Sequence, residues 1–178
     1  MSKLDYVISY ETMMLETASH PEYLTKITDT NGVVYSTRPA RTLIKGSALA
    51  NNHSIKGHLE IVKNSYPNMK KIPLMINTAL SILMIPTTSP NGSSCKWLNF
   101  IQIKHYRKMN EVTKVHFRNG AEIEVPVSYY IFDRQMSKAT KLLGIYLSQT
   151  AEYKVKTEEE KLIQLKEFMV EYLKKNIG

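Results

Sequence analysis

Short runs in which polar and apolar residues alternate fill the first third of the chain, and short, fully apolar runs follow at Leu74–Ile76 and Ile82–Ile85; these patterns predict a series of β-strands. The predicted strands are Tyr6–Tyr10, Met13–Thr17, Tyr23–Thr28, Val33–Ser36, Leu59–Val62, Leu74–Ile76, Ile82–Ile85 and Lys96–Lys104. Asn31-Gly32 predicts a tight turn between two of them, because both residues tolerate positive φ. Thr87–Ser94 consists of turn formers and predicts a surface loop, whereas Arg41–Leu49 is compatible with a short helix.

The clearest hairpin signal lies at Thr113–Val127. Arg118–Gly120 is its predicted turn, and apolar and polar residues alternate on both sides of that turn. Glu122 and Glu124 are expected on the same face. We interpret them as part of a solvated face and not as a catalytic carboxylate pair.

Two helices are predicted after the hairpin. Ser128 is expected to cap the first, Thr157 and Glu160 form a capping box for the second, and Ala151–Lys156 is the predicted hinge between them. Their apolar stripes are Phe132, Met136, Ala139, Leu143 and Tyr146 in the first, and Leu162, Leu165, Met169 and Tyr172 in the second. The predicted fold class is therefore α+β, a β-rich body with hairpins followed by two C-terminal helices.

Composition favours an ordinary globular protein of a reducing compartment. A chain of 178 residues with 43% hydrophobic residues can bury a core. The single cysteine, Cys95, excludes an internal disulfide and a cysteine-based zinc site. Asp5 interrupts the region where a signal peptide needs an apolar run, and the longest uncharged stretch, Ile72–Cys95, contains three prolines. We therefore expect a cytoplasmic protein without a membrane segment.

Positive charge is concentrated in the middle of the chain. Between Arg38 and Arg118 lie 13 of the 24 Lys and Arg residues and only two of the 16 acids, Glu60 and Glu111, so this window carries a net charge of +11 and the remainder −3. Clustered charges of one sign repel each other unless a polyanion neutralises them. Nucleic acid is the commonest such partner. The competing interpretation is a generally basic protein that is rich in lysine.

Motifs for catalysis are absent from the sequence. It contains no Gly-rich phosphate loop, and the five histidines have no paired ligand spacing for a metal. Cys95, with His105 or His116 as a base, is the only plausible nucleophile, but a lone cysteine at the start of a strand is usually a small core residue. We expect a protein that is not an enzyme and that needs no cofactor or metal.

The basic residues fall into two groups, one in the Arg38–Lys63 region and one that flanks the last predicted strands, where amide and imidazole side chains are interleaved with lysine and arginine. Such mixtures suit phosphate positioning combined with base-edge contacts. The candidate DNA-binding residues are Arg38, Arg41, Lys45, Lys56, Lys96, Asn99, Lys104, His105, Arg107, Lys108, Lys114, Arg118 and Asn119. The alternative is an exposed hairpin that lysine keeps soluble.

The region from Ile72 to Leu143 resembles the ComK family of competence transcription factors. The residues that carry the resemblance, in order, are Ile85-Pro86-Thr87 before the turn-rich loop, Cys95-x-Trp97, Asn119-Gly120 in the hairpin, Pro126-x-Ser128-Tyr129, and the helix with Phe132 and Gln135. A weaker resemblance, over about forty residues, is to LytTR-type DNA-binding domains, which are mostly β folds that read DNA with loops and sheet edges.

The ComK resemblance implies a transcription activator of competence genes that binds double-stranded A/T-rich boxes in the minor groove as a homodimer or higher assembly. It also implies recruitment of RNA polymerase and control by an adaptor of a Clp protease. We assign residues 1–150 to a β-rich DNA-binding domain that ends in a helix. Residues 151–178 form a C-terminal helix that is packed on the body or lies in a dimer interface. The alternative function is a non-specific or RNA-binding module without an activation role.

Overall fold

The computed structural model describes the backbone of residues 5–176, and side chains except those of 150–156, 161, 164 and 167–176. The strands are β1 (Thr12–Thr17), β2 (Thr25–Asp29), β3 (Gly32–Ser36), β4 (Leu74–Asn77), β5 (Ile82–Pro86), β6 (Trp97–Asn99), β7 (Ile103–Met109), β8 (Val112–Phe117) and β9 (Glu122–Val125). The α-helices are α1 (Ala40–Ala50), α2 (Ile55–Ser65) and α3 (Tyr129–Asn176), and a 3-10 turn spans Phe100–Gln102. The chain divides into two compact units, Met1–Leu143 and Gly144–Gly178.

Two antiparallel sheets build the first unit. The larger has the order β3-β2-β1-β6-β5-β4, and the smaller has the order β7-β8-β9. Leu43, Ile44 and Ala48 of α1 pack into the main core together with Leu15 of β1 and Trp97 of β6. The α+β class with a β-rich body is confirmed, and so are the predicted strands at β1, β2, β3, β4 and β5, the hairpin β8–β9 and the short helix at α1.

The beginning of α3 is held by capping and by buried hydrogen bonds. The backbone N–H of Ile131 lies 3.4 Å from the Ser128 hydroxyl, as the predicted cap requires. Phe132 and Ala139 of the predicted stripe are buried. The buried Gln135 amide also lies on this side, where it donates to two backbone carbonyls of the body.

Two of the predicted strands are wrong. Leu59–Val62 belongs to α2, which is capped by the Ser54 hydroxyl and buries His58 and Val62 one turn apart. Tyr6–Tyr10 is irregular, because the Ile8 N–H donates to the Ser47 hydroxyl of α1 at 2.9 Å and not to a neighbouring strand. In both segments a short apolar run was compatible with more than one structure.

The predicted strand Lys96–Lys104 is divided. Its first part is β6 in the larger sheet and its last part opens β7 in the smaller sheet, with the 3-10 turn at Phe100–Gln102 between them. The Gln102 side chain donates to the Tyr10 carbonyl at this point. The chain therefore crosses from one sheet to the other inside a segment that the sequence pattern predicted as one strand.

The predicted helices after the hairpin form one helical element, since the backbone of α3 is continuous through the expected hinge at Ala151–Lys156. Leu162, Ile163 and Leu165 are each more than half exposed, whereas Met169 and Tyr172 of the predicted stripe lie outside the described side chains. No helix in the described part of the chain is long and apolar enough to cross a membrane.

Candidate nucleic-acid interface

Strand β7 carries the strongest exposed positive charge of the smaller sheet. It is an edge strand, and Lys104, Arg107 and Lys108 are all exposed on it. Within the described residues, none of these three cations takes part in an ion pair. Their charged groups are thus exposed to solvent.

The neighbouring strands neutralise their own cations. Lys114 of β8 forms an ion pair with Glu122 of β9, and His116 Nδ1 lies 2.8 Å from the same carboxylate. The hydrogen bond from Lys114 is the main reason why the pKa of Glu122 lies below its ordinary value. Glu122 and Glu124 do share a face, as their register opposite His116 and Lys114 requires. Positive charge therefore declines across the sheet from β7 to β9.

The exposed imidazole of His105 extends the β7 surface towards β8. Its ring stacks on that of His116, with centroids 4.1 Å apart and an interplanar angle of 17°. The two residues are direct cross-strand partners. A flat ring pair thus lies beside Arg107, which is the next outward-facing residue along β7.

The turn after β8 fastens the smaller sheet to the larger one. Arg118 donates from Nε to the Ile101 carbonyl, and its N–H donates to the Gln102 carbonyl at 2.9 Å. The Asn119 amide lies 3.3 Å from the sulfur of Met13, and its oxygen accepts from the Ala121 N–H. Both candidate residues are exposed, but their polar groups already serve this junction.

Asn99 and Lys96 lie apart from the exposed surface of β7. Asn99 is fully buried in β6, where its amide donates to the Thr12 carbonyl at 2.8 Å, so it cannot touch a duplex without unfolding and we remove it from the interface. Lys96 forms an ion pair with Glu16 of β1, which Lys26 also contacts at 3.1 Å. Burial raises the pKa of Glu16, but the two ammonium groups outweigh it and hold the pKa below its ordinary value.

The remaining candidates lie on and before the first two helices. Lys45 is exposed on α1, and Lys56 on α2 lies 4.0 Å from Glu60, one turn away. Arg41 contacts the Asn91 amide oxygen of the turn-rich loop, whereas Arg38 is half-buried where its carbonyl accepts from Thr25. These four residues lie on or before helices α1 and α2, and not on the strand that carries Lys104, Arg107 and Lys108.

Helices α1 and α2 follow each other with only four residues between them. The sequence did not predict this pair of consecutive helices, because Leu59–Val62 was predicted to be a strand. The solvent face of α2 carries Lys56, Glu60 and Lys63, so an acid interrupts its cations.

A second cluster of cations was missed by the sequence. Arg134, Lys138 and Lys141 of α3 lie outside the basic window, and the structure places Lys138 against the backbone of Lys70. Their spacing of four and three residues, which puts them on one helix face, was the available signal. Lys63, Lys70, Lys71 and Arg41 line a depression of about 230 Å³ in the same unit.

The surroundings of Cys95 and the placement of metal-ligating side chains bear on the possibility of a catalytic or metal site. Cys95 is buried in the main core next to Trp97, which confirms the interpretation of this cysteine as a packing residue. Among the described residues, no three His, Cys, Asp or Glu side chains are grouped as a metal ion would need.

Comparison with known proteins gives a single consistent family. The family model described as ComK protein matches residues 3–151. A similar curated protein is the "Competence transcription factor" of Bacillus subtilis (strain 168), with 28% identity over 112 residues, which is 62% of this chain and 56% of that protein. The aligned part thus leaves more than a third of the relative uncovered. No solved structure matches this chain significantly.

Proposed function

This chain belongs to the ComK family, and we propose that it is a sequence-specific DNA-binding activator of competence genes, without catalytic activity. The first compact unit, which contains both sheets, is the DNA-binding part. The A/T-rich box is contacted in the minor groove. The similarity to the Bacillus subtilis competence transcription factor supports this assignment.

The observation that carries the proposal is the edge strand β7 with its three exposed cations, Lys104, Arg107 and Lys108, none of which forms an ion pair among the described residues, although Arg107 still feels the charge of Glu122. Side chains of successive strand residues point to opposite faces of a sheet, so Arg107, opposite Lys114, and Lys108, opposite Thr113, present positive charge on the two faces of this edge. Phosphate contacts by lysine and arginine supply most of the affinity for DNA.

The preference for A/T-rich DNA follows from groove shape. A narrow A-tract minor groove concentrates negative potential and attracts inserted arginine or lysine. Arg107, whose neighbours on the outer face are the His105–His116 pair and the neutralised Lys114, is the candidate for this insertion. Because A·T and T·A pairs look alike in the minor groove, exchanging them should change affinity little.

The test compares binding of the full chain to an A/T-rich duplex, a G/C-rich duplex and an RNA hairpin by fluorescence anisotropy. We expect the A/T-rich duplex to bind most tightly, and a minor-groove ligand to displace the protein. Equal affinity for all three would favour the alternative of a non-specific or RNA-binding module. Inhibition by bulky N7 modification of purines, with no effect of the minor-groove ligand, would instead point to a major-groove contact such as one through α2.

The residues responsible are tested by the triple variant Lys104→Gln/Arg107→Gln/Lys108→Gln. Its matched control is Lys114→Gln, which removes a cation of the same sheet that is already paired with Glu122. We expect the triple variant to lose affinity for the A/T-rich duplex and the control to retain it. The opposite ranking would place the interface elsewhere.

Assembly and regulation complete the proposal. We infer that the chain acts in the cytoplasm as a homodimer or higher assembly, contacts RNA polymerase, and is delivered to a Clp protease by an adaptor. The exposed apolar side chains Leu162, Ile163 and Leu165 support a protein contact through the second unit. Truncation after Thr150, followed by measurement of solution mass and DNA affinity, tests this. A folded truncated chain that keeps the native mass would exclude the C-terminal helix as the dimer element.

A further inference from the structure

A second cationic surface lies on the first turns of α3 and the neighbouring bend of the body. Its members are Lys63, Lys70, Lys71, Arg134, Lys138 and Lys141. Within the described residues, none of the six takes part in an ion pair. All belong to the same compact unit as β7.

Hydrogen bonds from α3 fix the backbone of this surface. The Gln135 amide donates to the Lys71 carbonyl at 2.9 Å, and the Lys138 ammonium donates to the Lys70 carbonyl at 2.8 Å. Lys71 has a φ of 50°, in the left-handed region that a lysine seldom adopts. Such strain persists where the surroundings hold it, and it is concentrated at functional positions.

The cations are crowded and lie beside tyrosine rings. Burial lowers the pKa of Lys138, and the positive charges of Arg134 and Lys71 lower it further. Lys141 lies over the ring of Tyr66 with its nitrogen 4.0 Å from the centroid, and Arg134 lies 5.7 Å from the ring of Tyr130. A chain keeps unpaired like charges in this proximity when an anionic partner neutralises them.

This surface lies on a different side of α3 from β7. Asp133 accepts a hydrogen bond from Tyr106 of β7, whereas Lys138 contacts the bend at Lys70. Five residues of an α-helix rotate the side chain by about 140° relative to its starting direction, at roughly 3.6 residues per turn. The side of α3 that contacts β7 and the side that carries Lys138 therefore face different directions.

We propose that the second cationic surface binds the sugar-phosphate backbone of a further stretch of DNA, beyond the box contacted by β7 and without reading its sequence. This inference rests on the proposed function and extends it. Lysine is depleted in protein–protein interfaces, so a surface of five lysines and one arginine is better matched by phosphates than by a folded protein. A duplex that reaches both surfaces must bend around α3 or be contacted at two places.

The experiment uses the full chain and two duplexes with the same A/T-rich centre. The shorter duplex spans the centre alone, and the longer one is extended on each side by G/C-rich flanks of about two helical turns of 10 base pairs. The dissociation constant is measured over a range of salt concentrations for wild type, for Lys70→Gln/Lys71→Gln/Lys141→Gln, and for the charge-conserving Lys70→Arg/Lys71→Arg/Lys141→Arg.

We expect wild type to bind the longer duplex more tightly and with a steeper dependence on salt. The glutamine variant should lose that gain, with a slope of log K against log salt that is less negative by about 2.7 on the longer duplex only. The arginine variant should behave as wild type. Equal slopes for wild type and the glutamine variant on the longer duplex, or an equal loss on both duplexes, would overturn the proposal.

Two further variants serve as controls. One distinguishes a loss of flank binding from impaired folding, and the other distinguishes the second cationic surface from the proposed β7 interface. Lys70→Gln/Lys141→Gln changes only exposed side chains and should make the slope less negative by about 1.8. This variant keeps the test valid if substitution at the strained Lys71 impairs folding. The β7 variant Lys104→Gln/Arg107→Gln/Lys108→Gln should weaken both duplexes but preserve the gain from the flanks. If that β7 variant binds as tightly as wild type, the assignment of β7 as the DNA-binding strand is wrong. The comparison of the two duplex lengths still shows whether the second cationic surface binds the flanks.

Discussion

The hydroxyl group of Tyr106 donates a hydrogen bond of 2.7 Å to the carboxylate of Asp133, and this bond joins the cationic strand β7 to helix α3. Burial raises the pKa of Tyr106, and the neighbouring carboxylate raises it further, so the phenol keeps its proton. The Phe132 ring meets the Tyr106 ring edge-on, with centroids 5.0 Å apart. The orientation of the proposed DNA-binding strand is therefore set by the helix that follows it.

Replacing Tyr106 by phenylalanine should destabilise the first unit by about 1–2 kcal/mol, because a hydrogen bond to a charged acceptor is lost while the ring packing remains. Urea denaturation of the full chain measures the change. Asp133→Asn retains an oxygen acceptor and is the matched control, with a smaller expected loss. A Tyr106→Phe variant that is as stable as wild type would show that packing alone holds the strand.

The β7 cations should dominate the salt dependence of binding to a duplex that spans only the A/T-rich box. Each phosphate contact contributes about −0.9 to the slope of log K against log salt, so Lys104→Gln/Arg107→Gln/Lys108→Gln should make the slope less negative by up to about 2.7. Lys114→Gln should leave it unchanged, because the ion pair with Glu122 already neutralises that cation. A slope near zero for wild type would contradict nucleic-acid binding altogether.

Asn99 should matter for stability and not for DNA contact. Asn99→Leu removes the donor to the Thr12 carbonyl and leaves that acceptor buried, which should cost about 1–3 kcal/mol. The folded fraction should bind DNA with wild-type affinity. Asn64→Ala, at an exposed position near the end of α2, is the control and should change neither quantity.

The ion pairs of Glu16 should make the free energy of unfolding decrease at acidic pH. Burial raises its pKa, but the Lys96 and Lys26 ammonium groups together outweigh burial, so the pKa in the folded chain lies below the ordinary value. The stabilisation is thus fully present above the ordinary glutamate pKa of 4.5 and is lost as the pH falls through the lower folded value. Glu16→Gln should be less stable by about 1 kcal/mol at neutral pH, with a flatter acid limb in thermal melts. Glu22→Gln, at an exposed position, should preserve the wild-type profile.

His58 should destabilise the fold below neutral pH. Burial lowers the pKa of this imidazole, although its contact of 2.7 Å with the Pro73 carbonyl offsets part of that effect. The unfolded chain therefore binds the proton more readily, and stability falls as the pH drops through the ordinary histidine pKa of 6.5. His58→Gln should flatten this part of the profile, whereas the exposed His20→Gln should not. Identical profiles for wild type and His58→Gln would contradict this assignment.

Local sequence was sufficient to predict the β8–β9 hairpin, where a turn signal separates two runs of alternating polar and apolar residues. Gly120 adopts a φ of 88° at the predicted hairpin turn, and its N–H bonds to the Phe117 carbonyl. Short-range chemistry also predicted the cap at Ser128. It could not decide Leu59–Val62, because four apolar-rich residues suit a strand or a helix and only packing of His58 and Val62 against the body selects the helix.

The sequence by itself determined the α+β class, the family resemblance and the basic window, since these depend on residue types and on order along the chain. Tertiary structure decided which of those charges remain available. Glu16 forms an ion pair with Lys96, which lies 80 positions away in the sequence. Asn99 is buried in the core. Helix α3 places the Lys138 ammonium group within hydrogen-bond distance of the Lys70 carbonyl. Electrostatic interaction depends on distance and burial, and neither can be read from the order of residues until the chain has folded.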